Sequence, residues 1–197
     1  MTGRGEGNDG TLRAFVALDL DAVSLKRVAH LSQCLQATTT APRATWAPPE
    51  KMHVTLAFAG ALRSDLVDAL ARALQPMAKS VLIPTVHRSW LDAFPSTTKA
   101  GVLVLRLHDE NGALATLAEK ITALPSLRTV GRKDRPFRPH VTLARLRRAS
   151  DVREWLRTQP DASGGDCRMR ALTLYRSDLG AGGSTYVALE RFALREG

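Results

Sequence analysis

The chain has 197 residues, 44% of them hydrophobic, with two cysteines and a formal net charge of +9 at pH 7. That is enough apolar material for one core or two closely packed lobes, and the cysteine count argues against a disulfide framework or a zinc site. No apolar run approaches the roughly 18 residues that span a bilayer and no signal-peptide pattern opens the chain, so a cytoplasmic protein is expected, while the basic charge favours nucleic acid or phosphorylated small molecules as partners.

In chain order, residues 1–11 hold four glycines and few apolar positions and read as a flexible leader, with a single domain over 12–197. Leu12 to Leu20, with Phe15, Val16 and Leu18, reads as a buried strand. Leu25, Val28, Leu31 and Leu35 then recur at helical spacing. Pro42, Pro48 and Pro49 punctuate the stretch before a strand at His53, which Gly60 is expected to close, and Ser64 is placed to cap a helix bearing Leu66, Leu70 and Leu74. Strand patterning returns over Val81 to Val86 and Val102 to Leu107. A helix is expected from about Asn111 to Leu124, then a basic segment and a strand at His140. Asp151 to Thr158 reads as a short helix, and Met169 to Tyr175 and Tyr186 to Leu194 as strands joined by Gly180-Ala181-Gly182-Gly183. The sum is an α+β chain with two sheet-containing lobes. Cys34 and Cys167 read as buried free thiols, and no coiled-coil heptad points to an oligomer, so a monomer is expected.

The pentapeptide His53-Val54-Thr55-Leu56-Ala57 recurs letter for letter as His140-Val141-Thr142-Leu143-Ala144. Strand alternation puts each His with its Thr on one face and Val with Leu on the other, so two similar lobes would bring two imidazoles and two hydroxyls to one cleft. Imidazole, with an unperturbed pKa of roughly 6.5, serves as acid or base near neutrality. Phosphodiester cleavage needs such a pair: one ring takes a proton from water, the other protonates the departing sugar oxygen, and hydroxyl donors such as Thr55 and Thr142 steady the charge on phosphorus. Metal sites gather three or four ligands, often with carboxylates, and no carboxylate accompanies either motif, so neither a metal nor a cofactor is expected. His30, His87 and His108 lack the Thr partner and read as surface or structural residues. The residues alone do not order the acid and base roles.

The segments Trp46 to Leu56 and Arg135 to Arg145 resemble the two signature regions of the LigT-like RNA 2',3'-cyclic phosphodiesterases, within the two-histidine phosphoesterase superfamily. The similarity extends to Phe15-Val16-Ala17-Leu18-Asp19-Leu20, Ala93-Phe94-Pro95 and Leu174-Tyr175-Arg176-Ser177-Asp178-Leu179. The resemblance implies a bilobal fold with two pseudo-symmetric lobes, antiparallel sheets lining a central cleft and helices outside. It implies His53 as proton donor to the leaving group and His140 as proton acceptor, acting on RNA with a 2',3'-cyclic phosphate terminus to leave a 2'-phosphate.

Further residues fall near the motifs. Arg138 would share the face of His140 in a regular strand and hold a phosphate, unless Pro139 breaks the register and leaves a solvated side chain. Trp46 and Phe137 can stack a terminal base, or pack in the core. Arg128, Arg132, Lys133, Arg135, Arg138, Arg145, Arg147 and Arg148 would form a basic rim if gathered on one surface. The alternatives are 2'-5' RNA ligation by the same residues, a noncatalytic nucleotide-binding or RNA-binding module, and a phosphodiesterase of small cyclic nucleotides.

Overall fold

The computed structural model describes residues 10–127, 136–159, 165–180 and 183–196; the expected leader, apart from Gly10 and Thr11, lies outside them. The elements are β1 (Thr11–Leu20), α1 (Ala22–Gln36), β2 (Ala44–Trp46), β3 (His53–Arg63), α2 (Ser64–Ser80), β4 (Thr85–Val86), β5 (Ser89–Phe94), β6 (Ala100–Leu107), α3 (Ala113–Thr122), β7 (His140–Ser150), α4 (Arg153–Arg157), β8 (Cys167–Gly180) and β9 (Gly183–Ala193). The strands run in the order β4-β8-β1-β3-β7-β6-β5, with β9 on β8 and β2 on β7. Every named strand pair is antiparallel. One half of this sheet holds β1, β3, β4, β8 and β9, and the other β2, β5, β6 and β7. The two halves meet at a single rung, Val54 opposite Val141, so each motif strand lies at the inner edge of its own half.

Helices cover one face of the sheet. Val28 and Leu35 of α1, Leu70 and Leu74 of α2, and Leu114, Leu117 and Ile121 of α3 join Val16, Leu18, Val54, Leu56, Val141 and Leu143 in one apolar core. Each fully buried Leu or Ile there contributes about 1.5–3 kcal/mol. A second small cluster of Phe15, Ala17 and Tyr175, with Tyr186 packed on it, lies apart from that core. Strand alternation puts it on the opposite face of β1 and β8, which explains why β1 is buried on both sides.

Several local expectations are corrected. Gly60 does not close β3: it adopts φ 59°, Ala59 is left unpaired between the Phe15–Phe58 and Ala14–Gly60 pairs, and the strand bulges and runs on to Arg63. Ser64 is the first residue of α2 rather than its cap, and its hydroxyl donates to the Gly10 carbonyl at 2.9 Å. The stretch from Val81 to Val86 pairs as a strand only at Thr85–Val86, since Pro84 has no N–H to give a ladder. Strands β2 and β5 were not anticipated. Cys34 is exposed, whereas Cys167 is buried and burial pushes its thiol up to about 11.

Candidate active site

The Val54–Val141 rung fixes the geometry of the two motifs. Both valines point into the core, so His53, Thr55, His140 and Thr142 all project from the other face. About an antiparallel rung the numbering runs in opposite senses, which puts His53 beside Thr142 and Thr55 beside His140. The imidazoles are therefore diagonal across the junction of the two half-sheets, each next to the other strand's hydroxyl. All four residues are half-buried.

The two histidines sit in different surroundings. His53 stacks on Phe15 with centroids 5.0 Å apart and on Tyr175 at 5.7 Å, and meets the edge of Tyr186 at 5.4 Å. This enclosure disfavours the charged ring, and burial, opposed by Asp19 and reinforced by His140, brings His53 down to about 4. Its cross-strand neighbour on β1 is Asp19. The Asp19 carboxylate accepts from Tyr175 Oη at 2.7 Å, Thr173 Oγ1 at 2.8 Å and Arg191 Nε at 2.9 Å. Burial and the bond to this carboxylate push the Tyr175 hydroxyl up to about 12, so it stays a donor.

His140 meets the edge of Phe94 at 4.9 Å. Its Nδ1 lies 2.6 Å from the Arg138 carbonyl. A carbonyl only accepts, so Nδ1 carries the proton and the lone pair of the neutral ring is at Nε2. Burial lowers the pKa of His140; the Arg138 carbonyl works the other way, and Arg106 and Arg145 lower it further. Its cross-strand neighbour on β6 is Arg106. Equivalent positions in the two halves thus carry opposite charges: an anion beside His53 and a cation beside His140. The anion opposes the fall in the pKa of His53 and the cation adds to that of His140, while burial, the largest cause at both, holds each ring below the usual imidazole value.

The outer candidates are placed differently. Arg138 precedes the start of β7 at His140; Pro139 keeps the register, its carbonyl accepting from Leu107 N–H of β6 at 3.0 Å, while the Arg138 side chain is exposed and its backbone carbonyl meets His140. Trp46 pairs with Ala144 at the edge of β7 and packs against the main core, where it lines a groove with Ala29, Ser32 and Met52. Phe137 also packs against that core. The aromatic rings at the imidazoles are instead Phe15, Tyr175, Tyr186 and Phe94. Arg145, Arg147 and Arg148 are exposed with Arg138, while Arg128, Arg132, Lys133 and Arg135 lie outside the described residues. Among the described residues, no three His, Cys, Asp or Glu side chains gather as metal ligands, and no helix is long and apolar enough to cross a membrane.

Residues 22–181 match the family model of the 2'-5' RNA ligase superfamily. The chain belongs to that superfamily. Among its relatives, the RNA 2',3'-cyclic phosphodiesterase of Escherichia coli is 27% identical over 192 residues, covering 93% of this chain and 97% of the relative. Those of Aquifex aeolicus and Thermus thermophilus are 24% and 29% identical, over 76% and 75% of this chain and 81% and 74% of their own. The fold matches the crystal structure of E. coli LigT complexed with 3'-AMP at a TM-score of 0.73 and 24% identity, covering 93% of this chain and 98% of that one. LigT complexed with NADP+ matches at 0.68 and 26% identity, covering 94% and 99%. The superfamily fold thus accounts for the open antiparallel sheet with a motif strand on each side of its junction.

Proposed function

We propose that this chain is an RNA 2',3'-cyclic phosphodiesterase that opens cyclic phosphate ends to 2'-phosphates, with His53 as acid and His140 as base. The observation that carries the reading is the diagonal His/Thr quartet, in which the Arg138 carbonyl commits Nε2 of His140 to accepting. The names of the relatives supply the substrate class.

In this reading water attacks phosphorus and gives its proton to Nε2 of His140. The bond from phosphorus to the 3'-oxygen breaks, and that oxygen takes the proton from His53. Thr55 and Thr142 donate to the two nonbridging oxygens as negative charge grows on them. A proton donor whose pKa is about 4 in the free protein needs help from the substrate. A phosphate anion about 4 Å from the ring, at an effective dielectric constant of about 20, contributes roughly 4 kcal/mol, which is about three pKa units. Binding of the anion therefore raises the pKa of His53 and favours its charged form.

The test is turnover of a short RNA ending in a 2',3'-cyclic phosphate, in excess chelator, with 2'- and 3'-phosphate products resolved. Conversion to the 2'-phosphate is expected; a 3'-phosphate product, or dependence on a divalent ion, overturns the reading. The superfamily description favours one further activity, 2'-5' ligation. It uses the same residues with a 5'-hydroxyl in place of water, and joined product from two suitably ended RNAs detects it. Binding without turnover would instead make the protein an RNA-binding module.

A further inference from the structure

The β5–β6 half of the cleft carries a charged and aromatic group that exchanges no proton in the hydrolytic chemistry, although Arg106 and Phe94 adjoin His140. Trp90 of β5 pairs with Arg106 of β6, and Arg106 pairs with His140 of β7, so the three form one lateral row on the cleft face. Alternation puts Asp92 and Phe94 on that face as well. The Arg106 guanidinium leans away from His140 toward β5. Its central carbon lies 5.5 Å from the Trp90 ring centre and 5.7 Å from that of Phe94. Phe94 meets both His140 and this cation, so a single ring stands between the base and the guanidinium.

Arg106 is poorly satisfied for a side chain that is 17% exposed. Its Nη1 reaches Asp92 Oδ2 only at 3.5 Å. Its Nε is closed off from solvent with no hydrogen-bond partner, the one buried side-chain polar atom in that condition among the described residues. Arginine offers five donors in a planar fork that suits phosphate, and leaving such donors unmet is costly. Trp90 keeps 44% of its surface exposed although the guanidinium lies over one face of its ring. An open indole next to a cation is how single strands are held, with a base on the ring and a phosphate on the arginine. From β7 to β6 is one strand spacing and to β5 two, about 10 Å, which puts Arg106 between His140 and Trp90.

We propose that Trp90 and Arg106 form a subsite for the nucleotide that adjoins the terminal one, Arg106 holding the phosphodiester between them and Trp90 stacking the base. The preferred substrate is then an oligonucleotide ending in a cyclic phosphate rather than a cyclic mononucleotide. A phosphate oxygen replaces or shares the long contact of Asp92. The inference rests on the cyclic phosphodiesterase reading and adds to it the residues that discriminate chain length.

The experiment compares kcat/KM on a 2',3'-cyclic mononucleotide and on a tetranucleotide with the same cyclic end, for wild type, Trp90→Ala, Trp90→Phe and Arg106→Gln. Wild type should favour the tetranucleotide by about 10-fold or more, the size of one base–aromatic stack. Trp90→Ala and Arg106→Gln should each lower that ratio by about 10-fold, chiefly through KM, and Trp90→Phe should restore most of it. Arg106→Gln should also flatten the log–log salt dependence for the tetranucleotide by about 0.7, the slope of one single-strand phosphate contact. Equal wild-type efficiency on both substrates, or variants that slow both in step, overturns the subsite. If wild type turns over neither, the cyclic phosphodiesterase reading falls and the subsite falls with it.

Discussion

Replacing Asp19 by Asn should move the alkaline limb of the activity profile while leaving the acid limb in place. Asp19 and His53 are directly paired across β1 and β3, and such side chains have Cβ atoms about 5 Å apart. Charges about 6 Å apart at an effective dielectric constant of about 20 interact by about 3 kcal/mol, or about two pKa units. Arg191, 2.9 Å from the same carboxylate, offsets part of this, so the pKa of His53 should fall by about one to two. The acid must be protonated in the bound state, so activity falls as pH rises through its pKa. A lower pKa moves that fall to lower pH. On the alkaline side it costs about 10- to 100-fold in kcat, because a pKa lower by about one leaves about ten times less of the ring charged. The amide keeps the carboxylate's shape, but its NH2 opposes one of the three donors, so a stability loss of about 1–3 kcal/mol accompanies the change. The assay is kcat against pH on a cyclic phosphate RNA, at a temperature where the variant is folded. An unmoved alkaline limb, or a movement of the acid limb instead, refutes the assignment of the acid to the ring beside Asp19.

The depressed pKa of His53 also makes a stability prediction: a folded value of about 4 against about 6.5 unfolded means that stability is fully present above pH 6.5 and is lost as pH falls toward 4. At pH 4.5 the loss is about 2–3 kcal/mol, to be read by denaturant unfolding; His53→Gln should lack this acid step, and a variant with the wild-type step contradicts it. Thr55→Val and Thr142→Val each remove one hydroxyl from the phosphate site and should lower kcat by about 100-fold with smaller effects on KM, whereas effects confined to KM would make these hydroxyls simple binding groups. Phe15→Leu opens the enclosure of His53 and should raise its pKa in the free protein, measurable by NMR titration; an unchanged value would show that the stacked rings do not set it.

The sequence was most legible where one face of an element is apolar and the other is not. The repeated His-x-Thr alternation placed both strands, and helical spacing of Leu25, Val28, Leu31 and Leu35 placed α1. It misled where one local signal has two outcomes: a glycine ends a strand or bulges it, and Gly60 bulges β3. Strand β5 was missed because Ser-Trp-Leu-Asp-Ala-Phe mixes a charge into an edge strand with no clean alternation. In the site, His53, Thr55, His140 and Thr142 were read from their pattern, and the structure brings all four to one face. Asp19, Phe15, Tyr175 and Tyr186 were not singled out, because they reach His53 only through the register of β1, β8 and β9. The period-two run Phe15, Ala17, Asp19 already places an aromatic and a carboxylate on one face of β1. For Arg106 no such signal exists, since its place beside His140 depends on pairing across 34 residues of chain.

The most direct test of the two-histidine account is a double-mutant cycle on cyclic phosphate turnover, comparing wild type with His53→Ala, His140→Ala and the double variant. Two groups that act in one proton-transfer step should each cost on the order of 100-fold or more. The double variant should then be scarcely slower than either single one, because groups that work as a unit are non-additive. Losses that multiply in the double variant, or a single variant that retains wild-type turnover, would contradict the account.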